Sequence, residues 1–260
     1  MSETGRRRSR RRSSVILASS SPRRIELLAA AGLAFRVVPP GIDERPPRAL
    51  SPLGIARWAA AAKAEAVAAR FPAAVVVGAD TVVALDGRSY GKPGSPAQGR
   101  AVLRALSGRT HFVYTAVTVI DGRGGRACHG FSRTKVTMRE LSPGAIRAYV
   151  RRGEAQDKAG AYAIQGEGRR LVGVVRGPYD NVVGMPMRLV ERLLHECGIT
   201  IPAKNSDEGQ QHTPDSKPRA PRDVGRRPGN VPARHAARRL RAGRGFAPDD
   251  HAKHRRRQRC

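Results

Sequence analysis

Long apolar runs are missing from this 260-residue chain, and none comes near the roughly 18–20 residues that a membrane-spanning helix needs. Cysteine is scarce as well. Cys128, Cys197 and Cys260 are odd in number, far apart and free of CxxC spacing, which argues against a disulfide framework or a structural zinc site and favours a reducing compartment. Aromatic residues make up only 4%, and Phe246 stands alone after residue 199, so base stacking along that stretch is not expected. Acidic charge is short too: 21 Asp and Glu face 49 Lys and Arg, for a net charge of +28. Arg10-Arg11-Arg12-Ser13-Ser14 before Val15-Ile16-Leu17-Ala18 faintly resembles a twin-arginine signal. Its apolar stretch is far shorter than the about 7–15 residues of an export signal, so export is not expected.

The positive charge is unevenly placed. Residues 1–14 carry a net +5 and residues 199–260 a net +10, which leaves +13 for residues 15–198. The two ends read as disordered basic tails, too polar and too rich in Arg, Pro and Gly to offset their chain entropy. The stretch between them suits one domain with a core of ordinary size.

Within that domain, β-branched and apolar runs alternate with helical patterns. Strands are expected at Val15–Ser19, Phe35–Pro39, Ala73–Val83, His111–Ile120, Phe131–Met138 and Leu171–Val175. Helices are expected from Pro22 to Gly32, Pro52 to Arg70, Pro96 to Leu106, Pro143 to Arg152 and Pro186 to Cys197, with Ser20 or Ser21 capping the first. The pattern predicts an α/β layered domain with a mixed central sheet flanked by helices.

Three clusters place polar groups where the fold would sooner have apolar ones. Ser19-Ser20-Ser21-Pro22-Arg23-Arg24 joins the first strand to the first helix. Free N–H groups at a helix start, serine hydroxyls and two permanently charged guanidinium groups suit a phosphate; the same hexapeptide also reads as an ordinary N-cap with two solvated arginines. Gly78-Ala79-Asp80-Thr81 puts a carboxylate inside an apolar strand, which points to a metal ligand or a base, or else to a strand end making a turn. Lys92, between Gly91 and Pro93, is a phosphate contact or a solvated loop lysine. Asp157 to Gly166 mixes charge with small residues, and its Gln165 offers both a donor and an acceptor, as a uracil-like ring does; a glycine-rich surface loop is the plainer reading. Asp157 and Lys158 also read as a structural ion pair, and His111 as a hydrogen-bonded core histidine.

Together with Asp43-Glu44, Lys63-Ala64, Leu106-Ser107-Gly108-x-x-His111 and Val183-Gly184-Met185-Pro186, these clusters run in the order of the Maf family's motifs. Residues 15–198 resemble a Maf-type nucleoside triphosphate pyrophosphatase. The resemblance implies a single Maf/ITPase-like layered domain that uses a divalent cation, magnesium or manganese. The reaction it implies cleaves a nucleoside triphosphate to the monophosphate and pyrophosphate. It makes Asp80 the proton acceptor, and it places Arg23, Thr81 and Gln165 at the positions that mark the branch acting on dTTP and UTP. The 7-methyl-GTP branch tends to carry an Asp-Gln pair in place of Asp80-Thr81 and an acidic residue in place of Gln165.

On residue type, Ser19, Arg23, Arg24, Lys63 and Lys92 are the candidates to line a phosphate cleft, and Glu44 and Asp80 offer the hard oxygens that such a cation prefers. The resemblance also implies a homodimer and a housecleaning role against modified pyrimidine nucleotides. The family pattern has nothing like the two tails. Their arginine runs suit non-specific, salt-sensitive contact with nucleic acid, which leaves a nucleic-acid-associated or division-regulating binding protein as the rival expectation.

Overall fold

Four Ser-Pro pairs open four helices: α1 (Pro22–Ala30), α2 (Pro52–Ala68), α3 (Pro96–Leu106) and α4 (Pro143–Arg151). Proline is pre-set for the first helical turn, where its missing N–H costs nothing. Ser51, Ser95 and Ser142 cap their helices, each accepting from the backbone N–H three residues on. Ser21 is the N-cap of α1, yet its side chain makes no capping bond. The closing helix α6 (Met187–Glu196) follows a short α5 (Tyr179–Val183) that the residue pattern does not announce. The computed structural model describes residues 14–46, 49–199 and 201, all within one compact unit. The expectations for the basic tails lie almost wholly outside the described residues.

The strands are β1 (Val15–Ala18), β2 (Phe35–Val37), β3 (Val75–Leu85), β4 (Arg88–Tyr90), β5 (Thr110–Asp121), β6 (Arg126–Met138) and β7 (Val172–Arg176). They form one mixed sheet in the order β2-β1-β3-β5-β6-β7, with β4 added beside β3. β1 runs parallel to β2 and β3, and the remaining pairs are antiparallel. The mixed sheet expected from the sequence is therefore present. β3 runs two residues past the expected end, and β6 starts five residues before Phe131, because the β5–β6 ladder extends down to Asp121↔Arg126 across a tight Gly-rich turn.

Strand alternation divides the core between the two faces of the sheet. Ile16, Ala18 and Val76 face Ala64 and Val67 of α2. Val15, Leu17, Val75, Val77 and Ala79 face Leu28 of α1 and Val190, Leu193 and Leu194 of α6. A third cluster, beneath α3 and α4, closes the far end of the sheet.

One detail of the sheet places the site. β1 leaves β3 at Ala18↔Gly78, and β4 joins the same edge only at Val83↔Tyr90. Between them Ala79–Val82 has β5 on one side and neither β1 nor β4 on the other, so the sheet edge opens there. In sheets with parallel strands, ligands bind at such a break, beyond the strand's carboxyl end.

Gly78 sets how closely α2 lies over this break. A Cβ built on it would stand 2.4 Å from the Ala60 carbonyl oxygen and 2.8 Å from the Ala64 nitrogen. Both contacts are with backbone, so relief requires the whole helix to move. Gly78→Ala is expected to destabilise the fold by about 1–3 kcal/mol through overpacking. The measurement is the urea midpoint at unchanged m; a midpoint equal to the wild type's would show that α2 lifts freely and that the close approach is not a constraint.

Candidate active site

Asp80 and Thr81 are consecutive in β3 and so point to opposite faces at the open edge. On the α2 face, Lys63 donates from Nζ to Asp80 Oδ1 at 2.7 Å and pairs with Glu44 Oε2 at 2.9 Å. The lysine is 4% exposed, and Asp80 keeps only 14% of its side chain open to solvent. A buried ammonium is tolerated when opposite charges close on it. Both carboxylates that the sequence offers as metal ligands thus converge on Lys63, which takes one oxygen from each.

On the other face Arg24 links three elements. Its Nε donates to the Gly184 carbonyl at 2.9 Å, Nη2 to Thr81 Oγ1 at 3.2 Å and Nη1 to Ser19 Oγ at 3.4 Å. Burial pulls its pKa below the ordinary arginine value, against the opposing pull of Asp80 and Glu44. Ser19 Oγ also accepts from the Ser21 N–H at 3.2 Å. That bond orders the loop, and the first turn of α1 keeps no serine cap of its own. Arg23 stands 4.0 Å from Asp157, whose neighbour Lys158 also pairs with it. Burial opposes the charge on Asp157, but the Lys158 hydrogen bond and the Lys158 and Arg23 charges outweigh it and hold the carboxyl below its usual range. The structural ion pair read from Asp157-Lys158 is therefore present, and it lies at the rim of the site.

These groups share one cavity of about 320 Å3. Ser19, Arg23, Arg24, Glu44, Lys63, Asp80, Thr81, Lys92 and Gln165 all line it, so every site residue chosen from the sequence comes to one place. Lys92 and Gln165 are exposed on its walls. Five cationic side chains (the fifth is Lys158) meet three carboxylates, an excess that favours a polyanion. The sequence reading missed the apolar wall of Val83, Val113, Ile164 and Val182. Valines in strands carry no mark of which of them faces a ligand.

Among the described residues no three of His, Cys, Asp and Glu converge on one point. Asp80 and Glu44 alone offer two hard oxygen groups on one wall of the cavity. That set fits an ion such as magnesium, which takes one or two carboxylates and fills its remaining positions with substrate phosphates and water.

The loop that bears Gln165 is held from below by Tyr162, whose hydroxyl lies 2.7 Å from His111 Nε2. Both residues are buried, and the reading of His111 as a hydrogen-bonded core histidine holds at Nε2, while its buried Nδ1 has no partner among the described residues. Burial keeps His111 neutral by pushing its pKa down to about 4, and it raises that of the Tyr162 phenol. Cys128 and Cys197, far apart in sequence, lie with their sulfurs 3.8 Å apart in the core beneath α6 as free thiols.

Fold and cleft together define a single α/β domain with a cation-rich pocket and a lysine-paired carboxylate at a break in its central sheet, a layout suited to a phosphorylated small molecule. The family model for Maf-like proteins matches residues 14–197, and the chain belongs to that family. It is 50% identical to the dTTP/UTP pyrophosphatase of Moorella thermoacetica over 70% of this chain and 93% of that protein. It is 47% identical to the dTTP/UTP pyrophosphatase of Deinococcus radiodurans over 69% of this chain and 91% of that protein. A solved structure of a nucleoside-triphosphatase/dITP/XTP pyrophosphatase from Mycobacterium abscessus covers 71% of this chain and 97% of its own at 16% identity, with a TM-score of 0.37.

The burial of His111 has a consequence for acid stability. The folded-state pKa lies below the unfolded value of 6.5, so the unfolded chain binds a proton first as pH falls. Stability from this group is complete above pH 6.5 and is lost on the way down to about 4. The loss reaches about 3 kcal/mol at most for a shift of this size. Denaturant titrations between pH 7 and pH 4 should show the wild type losing about that much more than His111→Gln. Parallel pH profiles for the two proteins would show that His111 does not carry the effect.

Proposed function

We propose that this chain hydrolyses nucleoside triphosphates, dTTP and UTP foremost, to the monophosphate and pyrophosphate. The observation that carries the reading is Asp80, a carboxylate held by a buried lysine at the open sheet edge, inside a pocket where cations outnumber carboxylates. The names of its close relatives point the same way.

The residues divide the work by position. The free N–H groups of the first turn of α1, with Arg23 and Lys92, bind phosphate oxygens through short charge-assisted hydrogen bonds. Lys63 holds Asp80 Oδ1, which fixes the carboxylate and leaves Oδ2 to take a proton from water as that water attacks the α-phosphorus. The bond from the α-phosphorus to the bridging oxygen breaks, and pyrophosphate leaves with the charge that the cationic wall stabilises. A magnesium or manganese ion held by Asp80 and Glu44 would supply Lewis-acid stabilisation of the phosphates when bound. Thr81 and Gln165, on the same cavity, are assigned to substrate selection. Modified pyrimidine triphosphates, a cytoplasmic setting and a homodimer belong to the same reading. The rival reading, a nucleic-acid-associated binding protein, is not adopted, because every group arranged for chemistry lies between residues 19 and 165 and the arginine runs lie outside that stretch.

The test is pyrophosphate release by the full chain from dTTP, UTP, CTP, GTP, ATP and 7-methyl-GTP, with magnesium or manganese and with chelator. Turnover of dTTP and UTP above the purines, abolished by chelator, is expected. Asp80→Asn, in which Glu44 still pairs with Lys63, should keep the fold at reduced stability and lose about a hundredfold or more in kcat. Undiminished turnover by that variant would refute the role given to Asp80, and activity confined to 7-methyl-GTP would overturn the specificity.

A further inference from the structure

Thr81 opens onto the cavity, but its hydroxyl is not free to choose its partners. On the side away from the cavity stands Thr115, its directly opposed partner on β5, with the two Oγ1 atoms 3.0 Å apart. Thr115 is wholly buried and sits 2.8 Å from the Asn181 carbonyl. A hydroxyl has one proton. The carbonyl can only accept, so the Thr115 proton goes to it. The proton between the two threonines must then come from Thr81. Arg24, which can only donate, takes one of the lone pairs on Thr81. With its proton sent inward and one lone pair used, Thr81 shows the cavity a single acceptor and no donor.

We propose that Thr115 is a positioning residue that sets the polarity of Thr81, so that the site receives a hydrogen-bond donor from the ligand at this point. The chemistry fits the imide N–H of a uracil or thymine ring, a ribose hydroxyl or the attacking water. It excludes a bare ring nitrogen or a carbonyl. The inference deepens the proposed pyrimidine triphosphatase reading and rests on it for the ligand class.

The relay is anchored so that it cannot turn over. Asn181 is also buried, and its side-chain amide spends both hydrogens, on the Val113 carbonyl and on Thr134 Oγ1. The Thr134 hydroxyl in turn donates to the Pro178 carbonyl. Arg24 holds Gly184 at the other end of α5. Gly184 has φ +115, and a Cβ there would crowd Thr81 Oγ1 at 3.2 Å. The segment that takes the Thr115 proton is thereby fixed at both ends.

Thr115→Val keeps the shape of the side chain and removes the acceptor, which frees the Thr81 proton to turn outward. Thr115→Ser keeps the relay. The experiment compares wild type, both variants, Thr81→Val and the Thr81→Val/Thr115→Val double variant. Each is titrated calorimetrically with the non-hydrolysable α,β-methylene analogues of UTP, CTP and dUTP, and its turnover of UTP is measured. In Thr115→Val the preference for the UTP analogue over the CTP analogue should fall about tenfold if the donor is the base imide. The preference over the dUTP analogue should fall by a like factor if the donor is the ribose hydroxyl. If water is the donor, kcat should fall by a like factor with the analogue affinities unmoved. In each case Thr115→Ser should match the wild type, and Thr115→Val should add nothing in the Thr81→Val background. Unchanged preferences and kcat in Thr115→Val would overturn the proposal, as would a Thr115→Ser defect equal to that of Thr115→Val. Hydrolysis by the wild type beside either result leaves the pyrophosphatase reading standing and fells the relay alone. A wild type that neither binds the three analogues nor hydrolyses UTP overturns both.

Discussion

The active-site end of this fold depends on an ammonium group buried between two carboxylates. Lys63 lies on the inner face of α2, against the sheet, with almost no contact with water. Removing a charge from water costs several kcal/mol, and only a close, well-placed counter-charge offsets it. Asp80 and Glu44 supply that counter-charge from two different parts of the chain, a central strand and the Pro-rich link before α2. The arrangement ties three segments together: Asp80 is the buried partner of Lys63, and the half-exposed Glu44 adds a second carboxylate. It exists only because the helix lies almost on the strand, and that closeness traces to the absence of a side chain at Gly78 and to the small Ala60 and Ala64 opposite.

The break in the sheet edge turns this stable pair into a usable one. Had β1 continued beside β3 past Gly78, it would have filled the opening that exposes Asp80 and Thr81. β1 ends after four residues, at Ala18, and the chain turns through residues 19–21 into α1. The same turn that stops the strand carries the serines and arginines to the opening. Serines, arginines and carboxylate are thus brought together by one event in the chain path. The apolar wall and the loop of residues 157–166, pinned by Tyr162 and His111, close the remaining sides.

Much of this was legible in the residues. The four Ser-Pro helix starts, the long β-branched run of β3 and the carboxylate within it each have a local physical cause, and each is where the pattern puts it. Harder to see were α5, five residues long between a proline and a glycine, and β4, three residues of ordinary polarity held by pairing with β3. Neither has a periodicity of its own, because both are made by tertiary contacts. The separate uses of the cationic residues were also hidden. Lys63 and Lys92 look alike as lysines beside small residues. The first is buried as a counter-ion and the second is exposed on the cavity wall, a difference set by which one has α2 pressed onto the sheet. The approach of Cys128 to Cys197 was invisible for the same reason: their spacing in sequence says nothing about α6 packing on β6.

Alternation along β3 separates two tasks that the sequence places side by side. Asp80 points toward α2 and its lysine, where the carboxylate proposed as the base is held. Thr81, one residue on, points toward α1 and α5 and meets the Arg24 guanidinium and the Thr115 hydroxyl. Because the period of a strand is two, a slip of one residue would exchange the two side chains and put the carboxylate among the groups that hold Arg24. Ten consecutive β3–β5 pairs, from Val75↔Asp121 to Ala84↔Phe112, prevent such a slip. The apolar contacts on both faces of β3 reinforce them, since a slipped strand would turn every valine to the wrong layer. The length of β3 therefore fixes the geometry of the cavity: a shorter strand could still hold a carboxylate at the opening, but with less register to say which face it points to.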